Sequence, residues 1–571
     1  MSSVVPTVVS SLLRRIARRA QPDERGFFLV FLAVLLTTLL ALAGFAVDFW
    51  HWNHEGSRMQ KAADAAALAG SVYMPENPGG IAFTTAKQIA SRNGFTDGAG
   101  DVVITAKKGI RPNQLNVTIK KTVGNYFGTL VGANTTTIVK HAVGEYERSV
   151  NMGSPINQFG NDPESTAAHG TPQYPDFWAN VFGPRSSKAK GDAYQGNVCT
   201  GSTDNCSGSN VDYDPLGYFY GLEVKPGAVG PLEVDVYDPE FAHVGDNCGN
   251  TNNLAGAAAL PPNFNPLFPV ANPAVRYAID ATSRYCSGDM YYSDAGENNG
   301  PPWTTYFLRS PDDTPNDPTN NPVVCSVNFP GYNANLVTAL QASTPQTGAP
   351  DLFVTYFRQW YRVCTVNSPE TGTYFLQVET AKKADGTPTP QGSGANRFAI
   401  RAGLQGNFAT PNLRLFGEAR IGIYANAPAA NTTFFLARVL PGAESRNLVV
   451  NFFDTGDAAA AGTLTVLPPP DSNVGASFAG CTYTPPPGTS TGPPWGTFTN
   501  TQSGCRITNV SSATYNGQWI QFKIPIPDNY DCSFDDPNGC WTRINFAFPS
   551  NVQDTTTWTA RIEGDPVRLV E

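Results

Sequence analysis

The feature that most constrains this chain is an uncharged apolar run of 21 residues, from Phe27 to Val47 (FFLVFLAVLLTTLLALAGFAV). An α-helix rises about 1.5 Å per residue, so such a run spans about 30 Å, the hydrocarbon thickness of a bilayer. The hydroxyls of Thr37 and Thr38 can bond to carbonyls one turn earlier and do not prevent burial in lipid. The run therefore predicts a transmembrane helix.

The charges beside the run predict its orientation. Five arginines lie within residues 1–25, whereas Asp48 follows the run directly. Because positive charge stays on the cytoplasmic side, we expect residues 1–25 to form a basic cytoplasmic N-terminus and the chain after Asp48 to be extracytoplasmic. A cleaved signal peptide has an apolar core of only about 7–15 residues with a small-residue cut site close behind. This core is longer, which favours an uncleaved single-pass anchor.

The helix is expected to continue past the membrane, because only Gly56 and Gly70 interrupt the stretch from Phe45 to Ser71. Small residues recur at three- and four-residue steps within and beyond the apolar run, which would let another helix approach closely. The alternative is that alanine is simply a good helix former. On the first interpretation, the residues that pack against partner helices are Ala33, Thr37, Ala41, Ala62, Ala66 and Ala69.

Three short segments carry a resemblance to a known family: Glu24-Arg25-Gly26, Ala46-Val47-Asp48, and Gln60 to Gly70. Together they resemble the N-terminal segment of TadG-like (TadE/TadG) proteins, which are linked with assembly of Flp, or tight-adherence, pili. The resemblance is strong over residues 22–75 and weaker over residues 117–146. It implies a bacterial cytoplasmic-membrane protein whose partners are other pilus-assembly proteins, contacted through the N-terminal helix.

The resemblance has two departures. Pilin-like relatives carry a glutamate five residues after a glycine cut point, but the residue five positions after Gly26 is Phe31. We therefore expect no prepilin-type cleavage. The Asp-x-Ser-x-Ser string that begins the metal site of the von Willebrand-type domain in some relatives is absent from the sequence, so that module is expected to be missing.

Charge and cysteine usage describe the rest of the chain. The net charge is −9, and because residues 1–25 carry +3, the remainder carries −12, which argues against a nucleic-acid groove. The ten cysteines lie on one side of the apolar run and contain no Cys-x-x-Cys, so disulfides in an oxidising compartment are favoured over metal binding. The sequence does not determine their connectivity, and near neighbours such as Cys199 with Cys206 and Cys532 with Cys540 are the simplest pairing. The cysteines are Cys199, Cys206, Cys248, Cys286, Cys325, Cys364, Cys481, Cys505, Cys532 and Cys540.

The exterior is predicted to be mainly β. Residues 26–75 are the helix and its extension, residues 76–148 read as a small α+β domain, and residues 149–176 read as a Pro- and Gly-rich linker. A repeat follows: VKPGAVGPLEVDVYDP at Val224–Pro239 and VLPGAESRNLVVNFFDTG at Val439–Gly456 share Val-x-Pro-Gly-Ala and a strand that ends at an aspartate. Two copies predict tandem domains, each a jelly-roll-like β-sandwich, over 177–390 and 391–571.

Two ligand sites are weaker hypotheses. Oxygen-rich loops suit calcium, although their spacing matches no defined calcium loop and such residues are ordinary turn formers; they hold Asp238, Asp312, Asp313, Asp317 and Asp454. Aromatic residues around a Gly/Pro loop could stack on sugar rings, although packing of the same rings in a core is favoured; they are Tyr291, Tyr292, Trp303 and Tyr306. Calcium apart, the sequence gives no reason to expect a cofactor.

Three functions follow from these features. The first is a non-enzymatic, membrane-anchored component of Flp pilus assembly with two exported sandwiches. The second is a surface adhesin that uses this anchor to present a site for a glycan or protein ligand. The third, an exported hydrolase, has least support, because the sequence contains no His-Glu-x-x-His, Gly-x-Ser-x-Gly or phosphate-binding loop.

Overall fold

The computed structural model describes most of the chain in separate stretches. They are residues 24–74, 79–109, 114–146, 150–162, 177–201, 203–204, 206–239, 303–312, 318–331, 356–382, 392–427, 431–484, 496–497, 504–536, 538–550, 552–563 and 567–570. Strands and helices are numbered below in chain order. The chain divides into two compact units: unit 1 is residues 1–147 with 565–571, and unit 2 is residues 148–564.

Unit 1 is an α+β unit built on one long helix. Helices α1 (Glu24–Ser71) and α2 (Ile81–Arg92) pack on an antiparallel sheet of order β1-β2-β3-β27. The strands are β1 (Val102–Lys108), β2 (Gln114–Gly124), β3 (Thr135–Tyr146) and β27 (Val567–Leu569). On β2, Leu115, Val117 and Ile119 are buried beneath the helices, as the period-two pattern predicts.

The boundaries of unit 1 differ from the sequence prediction in two ways. The second half of α1 contributes to the core of the unit, so residues 26–75 and 76–148 are not separate domains. Strand β27 pairs with β3, so the prediction that the chain end belongs to the second sandwich is wrong for these residues. A strand of three residues is too short for its periodicity to show which sheet it joins.

Unit 2 contains two large antiparallel sheets that face each other across one apolar core. The first has the order β13-β10-β15-β6-β17-β26-β19-β24-β21-β22, with β5 also on β15, and the second has the order β12-β11-β14-β9-β16-β4-β18-β25-β20-β23. The early strands are β4 (Asn151–Met152), β5 (Gln158–Phe159), β6 (Phe177–Phe182), the hairpin β7 (Val198–Thr200) and β8 (Ser207–Ser209), β9 (Tyr218–Val224), β10 (Leu232–Tyr237), β11 (Trp303–Arg309), β12 (Val323–Phe329), β13 (Trp360–Val366), β14 (Gly372–Lys382) and β15 (Ala395–Leu404).

The later strands repeat the arrangement of the early ones. They are β16 (Leu413–Glu418), β17 (Arg420–Ala427), β18 (Asn431–Arg438), β19 (Asn447–Phe453), β20 (Gly462–Leu467), β21 (Thr482–Thr484), β22 (Gly496–Thr497), β23 (Cys505–Val510), β24 (Trp519–Pro525), β25 (Trp541–Ala547) and β26 (Val552–Glu563), and a short helix α3 (Ser512–Tyr515) precedes β24.

Each half of unit 2 is an eight-stranded jelly roll. Roll 1 (residues 177–404) pairs its strands as β13-β10-β15-β6 and β12-β11-β14-β9. Roll 2 (residues 420–563) pairs them as β24-β19-β26-β17 and β23-β20-β25-β18, the same topology with each strand replaced by its counterpart. The predicted fold class, a helix followed by a small α+β unit and tandem jelly-roll-like sandwiches, is confirmed.

Two predicted boundaries within unit 2 are wrong. Residues 391–404 were assigned to the second sandwich, but β15 pairs with β10 and β6 and is the last strand of roll 1. Residues 149–176 were assigned to a linker, but β4 joins the second sheet between β16 and β18, and β5 pairs with β15. Two-residue strands carry no periodic signal, which is why the sequence did not reveal them.

Eight cysteines fall within the described residues, and all eight are paired. The bonds are Cys199–Cys206, Cys325–Cys364, Cys481–Cys505 and Cys532–Cys540. The predicted near-neighbour pairs and the disulfide framework are thus confirmed here, whereas Cys248 and Cys286 lie outside the described residues. In each roll a cysteine of the second sheet, Cys325 on β12 or Cys505 on β23, is bonded to a cysteine in or next to a strand of the first sheet.

Candidate functional site

Helix α1 has two halves with different surroundings. Among the described residues it is the one helix long and apolar enough to cross a membrane. Every side chain from Phe28 to Ala43 is exposed, and Gly44 is the first buried residue after Phe28. The exposed half coincides with the predicted transmembrane run, while packing within the chain begins where that run is about to end.

A carboxylate holds the helix at the point where the apolar run ends. Asp48 is buried, and its two oxygens accept backbone N–H bonds from Tyr126 (2.7 Å), Phe127 (3.0 Å) and Gly128 (2.7 Å). One turn later, the Trp52 indole donates to Asn125 Oδ1 at 2.9 Å. These bonds fix the loop between β2 and β3 against α1, so the aspartate that follows the run is a structural anchor point for that loop.

Gly44 allows this loop to approach closely. A Cβ on Gly44 would lie 2.7 Å from the Phe127 ring, a distance that real Cβ atoms do not tolerate. This contact explains why the position that faces the loop is a glycine and not a residue with a larger apolar side chain.

The outer half of α1 binds to the sheet of its own unit through charged groups. Glu55 accepts from Lys121 Nζ at 2.5 Å and from Arg58 at 3.0 Å, and these two cations also lie over the Phe95 ring. Further along, Gln60 Nε2 donates to the carbonyl of His141 at 2.9 Å. The extension is therefore a fixed part of unit 1.

The six small residues predicted to pack against partner helices fall into two groups. Ala62 and Ala66 are fully buried in the core of unit 1 and Ala69 is half-buried, so this stripe is occupied within the chain. The expectation that Ala62 and Ala66 contact a partner helix is wrong. The others, Ala33, Thr37 and Ala41, are exposed, and Thr37 Oγ1 donates to the Ala33 carbonyl at 2.9 Å.

The aromatic residues proposed as a glycan platform are core residues where they are described. Tyr306 is fully buried, and its hydroxyl donates to Asp238 Oδ2 at 2.9 Å; Trp303 is also buried. Neither ring is accessible to a sugar, so this prediction is wrong for both. Tyr291 and Tyr292 lie outside the described residues.

A cleft elsewhere in unit 2 is lined by aromatic and polar side chains. It has a volume of about 400 Å³ and is lined by Tyr194, Asp212, Asn451, Thr484, Trp519 and Gln521. Tyr194 and Asp212 belong to the connection between β6 and β9, and the others belong to β19, β21 and β24. These segments are remote in sequence, and no local motif joins them, so sequence reasoning missed the cleft.

Each of the two aromatic rings of the cleft packs against another side chain. The Arg420 guanidinium lies 4.4 Å from the centre of the Tyr194 ring, and Phe453 packs against Trp519 with ring centres 5.1 Å apart. The ring centres of Tyr194 and Trp519 are 6.2 Å apart. On the floor, Gln521 Nε2 donates to Asn451 Oδ1 at 2.6 Å. The cleft therefore places two aromatic rings beside planar polar groups.

The aspartates proposed for calcium are not brought together by the described structure. Asp238 and Asp454 are buried in roll 1 and roll 2 respectively, and each follows the strand of the sequence repeat. Asp312 is half-buried in a loop, and Asp313 and Asp317 lie outside the described residues. Across the described stretches, one group of three metal-ligand side chains converges, Cys199, Asp204 and Cys206, and its two cysteines are disulfide-bonded.

The two buried aspartates occupy equivalent positions but have different partners. In roll 1, Asp238 Oδ2 accepts from Asn396 Nδ2 at 3.1 Å, and burial raises the pKa of Asp238 to about 7. The strand registers pair Tyr237 with Ala399 and Phe453 with Thr557, so roll 2 carries Asp554 where roll 1 carries Asn396. Burial, reinforced by the negative charge of Asp457, raises the pKa of both Asp454 and Asp554.

Comparison with known proteins identifies the N-terminal segment. Residues 26–75 match the family described as "Putative Flp pilus-assembly TadE/G-like". This segment is α1 and its immediate continuation, and the match confirms the resemblance there and associates it with Flp/Tad pilus assembly. No curated protein matches the chain.

One solved structure found by comparison is the Faustovirus major capsid protein. It aligns over 83% of this chain and 80% of that chain, with 8% identity and a TM-score of 0.08. A score this low carries no argument about fold or function.

Proposed function

We propose that this protein is a non-enzymatic, single-pass component of Flp/Tad-type pilus assembly. Residues 1–25 lie in the cytoplasm, the exposed half of α1 crosses the cytoplasmic membrane of a bacterium, and the jelly rolls are extracytoplasmic. The observation that carries the proposal is the coincidence of the TadE/G-like match with α1, whose first half exposes apolar side chains from Phe28 to Ala43. The disulfides support an oxidising location for unit 2.

Contacts with other pilus-assembly proteins are assigned to the exposed half of α1. Ala33, Thr37 and Ala41 recur at four-residue steps and are exposed, whereas the alanines of the outer half are already covered. Small residues at this spacing let helices approach closely within a membrane. The partner-binding surface is therefore restricted to the lipid-spanning segment.

A segment exchange tests this assignment. Residues 28–43 are replaced by an unrelated transmembrane sequence of equal length, which leaves Gly44, Asp48 and the core of unit 1 intact. Full-length protein from native membranes is expected to co-purify with Flp/Tad assembly proteins, and the exchanged protein is expected to stay in the membrane but lose them. The double variant Leu35→Ala/Leu39→Ala, with two exposed leucines changed, is the control. Absence of Flp/Tad proteins from the wild-type preparation would refute the proposed function.

A second candidate function is carbohydrate binding at the cleft of Tyr194 and Trp519. Its volume of about 400 Å³ lies in the range of small-molecule sites, about 300–1,000 Å³. Aromatic faces suit the C–H faces of pyranose rings, and the amide and carboxylate groups of Gln521 and Asp212 suit sugar hydroxyls. Trp519 and Tyr194 are half-buried, so each presents part of its surface to a ligand.

The full-length protein in detergent, applied to a glycan array, tests this second function. Binding to pyranose-containing glycans is expected, with about tenfold weaker affinity for Trp519→Ala because an aromatic contact is lost. Gln521→Ala should weaken binding as well, while the exposed Phe534→Ala serves as the control. Failure to bind any glycan, or equal binding by Trp519→Ala, would reject the candidate.

A further inference from the structure

The loop between β2 and β3 exposes apolar side chains beside the transmembrane segment. Leu130 and Val131 are 81% and 84% exposed, and Tyr126 is 63% exposed. The ten residues from Asn125 to Asn134 (NYFGTLVGAN) contain no charge. A soluble surface rarely displays a run of this kind without a partner.

The position of this loop along α1 is fixed by the contacts already described. Asp48 accepts three of its backbone N–H groups, and the Phe127 ring lies against Gly44. The His51 and Tyr126 rings also pack, with centres 5.0 Å apart. The loop is therefore held at the level where the apolar run of α1 ends, and it cannot move along the helix without breaking these bonds.

The helix surface at the same level is also apolar and exposed. Phe45, Phe49 and Trp50 are each more than half exposed, and they continue the exposed surface of the spanning half. Aromatic residues concentrate at membrane–water interfaces because their rings suit the headgroup region. The loop and these rings thus place exposed apolar side chains at one level of α1, where the helix is proposed to leave the bilayer.

We infer that the β2–β3 loop inserts Leu130, Val131 and Tyr126 into the lipid where α1 leaves the membrane. This inference rests on the proposed anchoring by α1. Phospholipid is the occupant favoured by the structure, because the Phe127 ring of the loop lies against Gly44 of the apolar run and because charge is absent from the loop. A loop held in the lipid would fix both the depth and the tilt of unit 1, whereas a single spanning helix alone is free to tilt in the bilayer.

Photo-crosslinking of the full chain in phosphatidylcholine–phosphatidylglycerol vesicles tests the inference. The crosslinking residue p-benzoylphenylalanine is placed at one of three exposed positions of unit 1: Leu36 in the spanning half, Leu130 in the loop, or Val103 on β1. Lipid adducts are expected at positions 36 and 130 and not at position 103. Introducing Val131→Asp beside the probe at position 130 should reduce its lipid adducts several-fold, because a charge resists insertion.

The three probe positions distinguish the inference about the loop from the proposed anchoring by α1. Adducts at position 36 without adducts at position 130 would overturn the loop inference and leave the anchoring intact. Absence of adducts at position 36 would overturn both. In native membranes, crosslinking of position 130 to a protein instead of lipid would also overturn the inference, because the loop would then be a protein-docking surface.

Discussion

At the scale of single residues, the two rolls show the same architecture with different buried charge. Asp238 shares its site with an amide, Asn396, whereas Asp454 shares the equivalent site with a carboxylate, Asp554. Asp554 accepts from the Gly456 N–H at 3.0 Å and from the Thr455 hydroxyl at 3.1 Å. Bringing several carboxylates into one buried site disfavours their ionisation, so roll 2 should depend on pH more strongly than roll 1.

The first prediction follows from the sign of these shifts. A carboxyl whose pKa is raised in the folded state binds its proton more tightly there, so its stabilising contribution is complete below the unfolded pKa of 3.8 and is lost as the pH rises towards neutrality. Asp554→Asn, which installs the amide of roll 1, is therefore expected to reduce the loss of Tm between pH 5 and pH 8.

Calorimetry at the two pH values measures this effect, with the exposed Asp535→Asn as the control. An effect on the order of 1 kcal/mol or more is expected, since each unit of pKa shift is worth about 1.4 kcal/mol. An unchanged pH dependence in Asp554→Asn would show that this carboxyl does not titrate in the folded protein.

The second prediction concerns a glycine beneath α1. A Cβ on Gly144 of β3 would lie 2.3 Å from the Ala67 carbonyl oxygen, which is backbone and cannot move aside as a side chain could. Gly144→Ala is expected to destabilise unit 1 by about 1–3 kcal/mol, the usual effect of overpacking. Gly124→Ala on β2 is the matched control, because no atom lies within 4 Å of its added Cβ. Equal thermal stability of the two variants would show that α1 does not pack on β3 this closely.

At the scale of elements, sequence patterns predicted that α1 forms but not what its outer half packs against. Its length and apolar run were predictable, because a helix of that composition has few alternatives in water or lipid. The partner of its outer half was not, since a stripe of alanines such as Ala62 and Ala66 fits a foreign helix and the chain's own sheet equally well. That choice depends on Gly144 and Leu115, which lie far away in sequence and permit the close approach.

The third prediction tests the junction between α1 and the β2–β3 loop. Asp48→Ala removes the acceptor of three backbone N–H groups, those of Tyr126, Phe127 and Gly128. Losing such bonds typically costs about 1–3 kcal/mol for each buried group left unsatisfied, so the loop should open more often. Hydrogen exchange measured by mass spectrometry should show faster exchange in residues 125–133 and unchanged exchange in β1. Slow exchange of the loop in the variant would mean that Asp48 does not hold it.

At the scale of the whole molecule, the internal repeat was the sequence feature that predicted two tandem domains. Val-x-Pro-Gly-Ala marks the same turn in both rolls, between β9 and β10 and between β18 and β19, so tandem domains followed from two short strings. The boundary between them did not follow. The pairing of β15 with β10 and β6, which the sequence does not reveal, places this strand in roll 1.

One physical reason explains why the sequence did not reveal the cleft and why it placed the glycan site on buried residues. Aromatic residues clustered in sequence, such as Trp303 and Tyr306, lie on one strand, and both are buried. Trp519 and Tyr194 are separated by more than half of the chain length and meet only because the β6–β9 connection lies beside β24. Surface sites of this kind depend on long-range packing, which composition and spacing do not encode.

The fourth prediction concerns the disulfides that join the two sheets. Removing Cys325–Cys364 by Cys325→Ser/Cys364→Ser opens a loop with a sequence separation of 39 residues, which the chain-entropy account values at about 4 kcal/mol. Cys199→Ser/Cys206→Ser opens a loop of separation 7 and should cost less. Denaturant unfolding of oxidised protein measures both losses. A larger loss for the shorter loop would contradict the view that these bonds act by restricting the unfolded chain.

The most direct test of the central claim is the intact mass of the protein recovered from bacterial membranes washed with alkaline carbonate. The protein is expected to stay in the membrane fraction and its mass is expected to include residues 28–47, because the helix proposed to span the bilayer also contributes to the core of unit 1. A product released by the wash, or one whose mass begins after Ser71, would contradict it.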